Sequence, residues 1–259
     1  MKLGIIQGRL LPPVNDKIQE FPTDWKREFD FIKIMGLSHI EFIITPRSFD
    51  SIIQADISEF STKISSICCD NLINTKIDDH CFLSKQLRPI CDFAIKNNIK
   101  ALTIPLLEES QLSMGNVSRF TRLMYSYSLV YPDLEFHFEM NNPSVISDMF
   151  VPGHVHNFFY TYDTGNMTGL RYNDSFLETF IKFHISKIKN IHLKDRSNEG
   201  ITVEPGTGDT NFNLVFETLR KLNYNGNFTL QTARGQTGME MDTVLRHKEY
   251  FKKLYEKFI

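Results

Sequence analysis

The chain has 259 residues, 41% of them hydrophobic and 23% charged, with four cysteines. That length suits one large α/β domain or two small ones, and it excludes a peptide-sized scaffold or a disordered tail. The 29 basic and 31 acidic residues leave a formal charge of −2. No excess of cations is present to neutralise a phosphate backbone, so nucleic acid is not expected as a partner.

Short β-branched or aromatic runs alternate with longer amphipathic stretches along the whole chain, the pattern of repeated βα units. Eight strands are predicted: LGIIQ (3–7), HIEFII (39–44), ISSICC (64–69), KALTIP (100–105), LEFHFEM (134–140), NFFYTYD (157–163), KNIHLK (189–194) and NFTLQ (227–231). The helices that follow them are predicted at 23–36, 50–60, 82–97, 116–130, 143–150, 173–187, 211–223 and 241–257. Thr23-Asp24 caps the first helix, which stops near Gly36, and Asn173-Asp174 opens the sixth. No Gly/Ser linker, charge block or low-complexity segment interrupts the series. The expected architecture is a (β/α)8 TIM barrel forming a single domain over residues 1–259. A doubly wound sheet would want a glycine-rich first βα turn, but GRLLPP follows strand one and no GxGxxG opens a helix.

Cys68, Cys69, Cys81 and Cys91 lack CxxC spacing and are read as reduced, mostly buried thiols. The opening MKLGIIQGRLLPP places Arg9 and two prolines where a signal peptide needs an apolar stretch, and no run approaches a membrane span of about 18 apolar residues. A cytoplasmic protein without a membrane partner is expected.

A barrel places function at the carboxyl ends of its strands. Those ends carry Gln7 and Arg9, Glu41, Asp70, Glu139, Asp163, His192 and Gln231. Charged and imidazole groups in Phe/Ile-rich strands are costly to bury unless they are paired or bind a metal. Glu139, Asp163, His192 and Gln231 come from four consecutive strands and supply three oxygen groups and one nitrogen. That set suits a divalent metal, with Mn²⁺ first and Mg²⁺, Co²⁺ or Zn²⁺ as alternatives. Arg9, Lys194, Arg196 and Arg234 follow strands one, seven and eight, where phosphate sites are frequent. They can be read as a phosphate grip, or Lys194, Asp195 and Arg196 as a local ion-paired rim.

The runs GIIQGRL, GLSHIEF, FEMNNP, YDTGNM, IHLKDR, VEPGTGDTNF and FTLQTARG resemble the sugar phosphate isomerase/epimerase family within the xylose isomerase-like barrels. The resemblance spans nearly the whole chain. It implies a Glu, Asp, His and second Glu holding a divalent metal at the positions of Glu139, Asp163, His192 and Gln231. It also implies proton transfer on a small-molecule sugar or sugar phosphate through a metal-bound enediolate, with Glu139 and position 231 as the catalytic pair. Gln7, Arg9, Glu41, Asp70, Asn141, Asn166, Lys194, Arg196 and Arg234 then become the substrate-binding candidates. Gln231 departs from the family, because an amide offers a carbonyl oxygen but cannot take up a proton as a carboxylate does. A symmetric two-base epimerisation would lose its partner base, whereas one-base aldose–ketose isomerisation stays available.

Four other readings are weighed. Resemblance to inosose dehydratases allows metal-assisted loss of water, and an endonuclease IV-like phosphodiester hydrolase would need more histidine ligands and a basic face. Gln231 also permits a non-catalytic sugar-binding relative, and Glu204 is an alternative carboxylate in the loop after strand seven. His137 is read as a core or ligand-orienting residue and Glu135 as lying at the bottom rim, while His39, His80, His154, His156, His184 and His247 are read as surface or satisfied histidines. Trp25 is read as packing. Pairing of copies through exposed helical faces is left open.

Overall fold

In the computed structural model, which describes residues 1–14, 19–140, 142–145 and 155–258, eight parallel strands close a barrel. In chain order the strands are β1 (Lys2–Ile6), β2 (Ile40–Ile43), β3 (Ile64–Cys68), β4 (Ala101–Leu106), β5 (Glu135–Met140), β6 (Phe158–Asp163), β7 (Ile188–Leu193), the two short strands β8 (Asp195–Arg196) and β9 (Thr202–Val203), and β10 (Asn227–Leu230). The barrel order is β1-β10-β7-β6-β5-β4-β3-β2, with β8 and β9 forming a separate antiparallel hairpin. The helices are α1 (Arg27–Ile34), α2 (Phe49–Ile52), α3 (His80–Lys96), α4 (Val117–Val130), α5 (Thr164–Gly169), α6 (Asp174–His184), α7 (Phe212–Lys221) and α8 (Glu240–Glu256).

Three predicted helices are corrected. The expected helix 50–60 breaks into α2 and a 3₁₀ turn at Ser58–Lys63. Asp56 ends the helical run by turning its carboxylate onto the Ser58 N–H and hydroxyl, at 3.0 and 2.7 Å, the local competition that disfavours Asp within helices. At 143–150 the described part is a 3₁₀ turn, Pro143–Val145, and the rest lies outside the described residues. The first helix begins later than predicted, at Arg27 rather than Thr23.

The chain forms two compact units, Met1–Glu41 with Thr161–Ile259, and Phe42–Tyr160. In the first, β10 lies between β1 and β7, with Gly4 level with Thr229 and Thr229 level with His192. Gly4 has no side chain because the His39 ring fills its place, and a Cβ there would come within 2.3 Å of the ring. Buried His39 bonds Ser38 and Thr229, whose hydroxyl in turn donates to Asn190. Burial pushes the His39 imidazole down to about 4 although Glu41 opposes the shift. In α7, Phe212, Val215, Phe216 and Leu219 recur at helical spacing and are all buried. Phe216 stacks on Phe228 at 5.7 Å and meets Phe251 at 6.2 Å.

In the second unit β4 is buried along its whole length and pairs with β5 from Ala101↔Glu135 to Leu106↔Met140. The Phe138 ring meets those of Phe120 and Phe158 edge-on. Cys68, Cys69 and Cys91 are free and buried. His137 bonds Glu135 at 2.9 Å and packs edge-on against Phe159.

The β1–α1 turn is organised by one buried carboxylate. Gly8 donates to both oxygens of Glu28, at 2.9 and 3.0 Å, and Leu10 donates to one of them at 3.1 Å. Gly8 has φ 87°, and a Cβ would lie 2.3 Å from the Glu20 carbonyl. Burial pushes the Glu28 carboxyl up to about 7, against the two backbone donors and the Arg234 and Arg9 charges. Because the folded-state value is raised, the stability that comes from the neutral form is complete below the unfolded value and is lost as pH rises through about 7. Glu28→Gln keeps an acceptor oxygen for both N–H groups. It is expected to remove a pH-dependent stability difference of about 3 kcal/mol, read from urea midpoints at about pH 5 and about pH 8.

Candidate functional site

Within the first unit the ends of β6, β7 and β10 bring Asp163, His192, Lys194 and Gln231 together. Asp163 is both the last residue of β6 and the N-cap of α5, its Oδ1 accepting from the Asn166 N–H at 2.7 Å. Its Oδ2 faces the Lys194 ammonium at 2.7 Å and the His192 Nδ1 at 3.8 Å. Burial opposes ionisation of this carboxyl, yet the Lys194 charge and the His192 and Lys194 hydrogen bonds hold it far below the usual carboxylate range. An anionic oxygen is therefore kept in a fully buried position.

His192 is fully buried, and its Nε2 donates to Glu41 Oε2 at 2.5 Å. That bond fixes the ring and turns Nδ1 towards Asp163, the arrangement in which an outer carboxylate orients a ligating histidine. Glu41 is level with Ile6 on β1, and its carbonyl accepts from the Gln7 N–H at 2.9 Å. Lys194 also donates to the Gln231 amide oxygen at 3.2 Å, so one ammonium serves both Asp163 and Gln231. The neighbouring backbone is tied down by Thr164, whose hydroxyl donates to the His192 and Lys194 carbonyls at 3.1 and 2.7 Å.

The remaining predicted residues take varied positions. Glu139 is 2% exposed at the end of β5 in the second unit. Asp70 begins a 3₁₀ turn after β3. Asn166 is buried in α5, and Asn141 lies outside the described residues. The Arg9 Nε donates to the Thr232 carbonyl at 3.1 Å and its guanidinium reaches Gln19 at 2.6 Å, while Arg234 donates to the Leu11 carbonyl at 3.2 Å. Glu204 pairs with Arg246 at 3.3 Å and with His247 at 3.6 Å, which ties its loop to α8. Among the described residues the expected ion-paired rim does not form. Lys194 turns to Asp163, and Arg196 donates to the Gly200 carbonyl at 2.8 Å.

Asp195 instead organises the following loop. Its fully buried carboxylate accepts from the N–H groups of Arg196, Gly206, Gly208 and Thr210 at 2.8–3.2 Å. A Cβ at Gly208 would lie 2.4 Å from Asp195 Oδ1. The glycine-rich GTGDT run after strand seven was the available sequence signal for this role, which reading Asp195 as part of an ion-paired rim misses.

Residues 151–254 match a family model described as xylose isomerase-like TIM barrel. The chain is a TIM barrel. Solved structures with this barrel include the 3-keto-D-glucoside 4-epimerase of E. coli, 16% identical over 96% of this chain and 99% of that one, at a TM-score of 0.69. A structure described as IOLI protein with a binding zinc atom is 13% identical over 100% and 99% of the two chains, at a TM-score of 0.74. The D-psicose 3-epimerase of Clostridium cellulolyticum H10, solved with D-tagatose, is 15% identical over 98% and 99%, at a TM-score of 0.72. No curated protein sequence matches the chain.

The loop that follows β9 depends on the Asp195 carboxylate. Asp195→Ala leaves its backbone donors unpaired and is expected to cost at least ~2 kcal/mol. Amide exchange of Gly206, Gly208 and Thr210 should accelerate selectively, and unchanged exchange there would refute the assignment.

Proposed function

We propose that the chain is a divalent-metal-dependent isomerase or epimerase acting on a sugar or sugar phosphate in the cytoplasm. The observation that carries this reading is the pair of buried donors at the strand ends of the first unit, Asp163 on β6 and His192 on β7, with Glu139, buried near the end of β5 in the second unit, as the proposed third donor. The donor chemistry fits a divalent ion, since two carboxylates and one imidazole combine hard oxygen with borderline nitrogen. Asp163 kept anionic and His192 oriented by Glu41 support the fit. The Gln231 amide oxygen is a further donor on β10's end, now bound by Lys194. An ion held there would polarise a substrate carbonyl and make the adjacent C–H acidic.

The chain's own residues supply the rest. Glu139 is the proposed base that removes the proton from the carbon beside the carbonyl. Lys194 supplies a positive charge beside Asp163 and Gln231, placed to steady the oxygen that gains charge as the proton leaves. Gln231 cannot return a proton from the opposite face, which favours proton transfer by one base between neighbouring carbons. The commitment of Arg9, Arg196 and Arg234 to backbone carbonyls favours an uncharged sugar over a phosphorylated one.

Purified protein is expected to contain or be activated by Mn²⁺, Mg²⁺, Co²⁺ or Zn²⁺ and to exchange a carbon-bound sugar proton with deuterated solvent. Glu139→Gln should abolish that exchange, and an absence of both metal and exchange in the unmodified protein would sink the reading. Glu41→Gln is expected to weaken metal affinity roughly 10–100-fold with the fold intact, measured by competition with a chelator.

A further inference from the structure

A second recess lies in the first unit, outside the strand-end cluster. It has a volume of about 470 Å³ and is walled by the α5–α6 turn, the β8–β9 hairpin and the segment leading into α7. That is within the roughly 300–1,000 Å³ typical of small-molecule pockets. Its chemistry is specific. Tyr172 is 37% exposed, and its ring stacks on Phe176 at 4.1 Å, which holds it as a firm aromatic plate. Around it stand flat polar groups locked by their own bonds. Arg171 donates to the Asn198 carbonyl at 2.8 Å, the Asn198 N–H donates to Asp209 at 2.7 Å, and the Asn211 amide donates to Asp174 at 3.0 Å. Arg171 takes φ 54°, a left-handed conformation costly for a residue with a side chain, and this turn sets both Arg171 and Tyr172 on the recess.

We propose that this recess is a carbohydrate-binding site distinct from the strand-end cluster, taking a neutral pyranose ring with its C–H face on Tyr172 and its hydroxyls on the surrounding amide, carboxylate and guanidinium groups. An anion is disfavoured, because Asp174 and Asp209 line the recess along with Arg171. A bare cation is disfavoured too, because the Oδ2 atoms of Asp174 and Asp209 already accept hydrogen bonds. The recess also connects to the strand-end residues. Thr168 on its wall donates to the Thr210 hydroxyl at 3.0 Å, and the Thr210 N–H donates to Asp195, the neighbour of Lys194.

The test uses maltose and methyl α-D-glucopyranoside as probes, with binding followed by saturation-transfer and amide NMR on the whole protein. Saturable millimolar binding is expected, with shifts at Asn198 and Asn211. Tyr172→Ala should weaken it about tenfold or more, and Tyr172→Phe should retain it. Asp163→Asn should leave it intact, which separates this site from the proposed metal centre whether or not that centre is catalytic. The proposal is overturned by absence of saturable binding, by binding indifferent to Tyr172→Ala, or by binding lost in a folded Asp163→Asn protein.

Discussion

Asp163 meets two demands with one carboxylate. One oxygen closes the first turn of α5, and the other holds the Lys194 ammonium, with the carboxylate itself fully buried. Burying a carboxylate alone would drive it to take up a proton. Lys194 prevents this, and in doing so it is drawn inward from what reads in sequence as a surface charge cluster. The strand-end arrangement of the first unit follows from that pairing. Lys194 brings in Gln231, Thr164 fixes the backbone on either side of Lys194, and Asp195 is left to collect the loop's N–H groups.

The same economy recurs wherever a charge is buried. Glu41 holds His192, Glu28 holds the β1–α1 turn and Asp195 holds the Gly206–Thr210 loop. In each case a carboxylate faces donors with little freedom, and at Asp195 the missing side chain of Gly208 admits the close approach. At Asp195 the cost of desolvating the anion is offset by several hydrogen bonds rather than by one ion pair. Such loops are pre-shaped before any ligand arrives, as a site that must orient a small polar molecule requires.

Gln231 gives this barrel its individual character. A glutamate there would add a negative charge beside Asp163, and a single lysine would then face two carboxylates. The amide accepts from Lys194 without adding charge, so the pair is electrostatically matched as it stands. The amide bears on the proposed chemistry because it cannot take up a proton.

All eight barrel strands and the position of most helices were legible from period-two and period-3.6 patterning, because burial on a strand or helix face is a local rule. The strand-end residues Asp163, His192 and Gln231 were legible for the same reason, as polar interruptions of apolar strands. Beyond α2 the Asp56 carboxylate accepts from Ser58 two residues on, a local bond that competes with continuing the helix. Partnership was not legible at all. Sequence places Lys194, Asp195 and Arg196 side by side and invites pairing among them, whereas the fold sends the first to Asp163, the second to backbone N–H groups and the third to the Gly200 carbonyl. The chain by itself determined which strands exist and which polar groups stand at their ends. Only tertiary structure decided which charge neutralises which, because that choice depends on distances between segments far apart in the chain and on how much water burial removes.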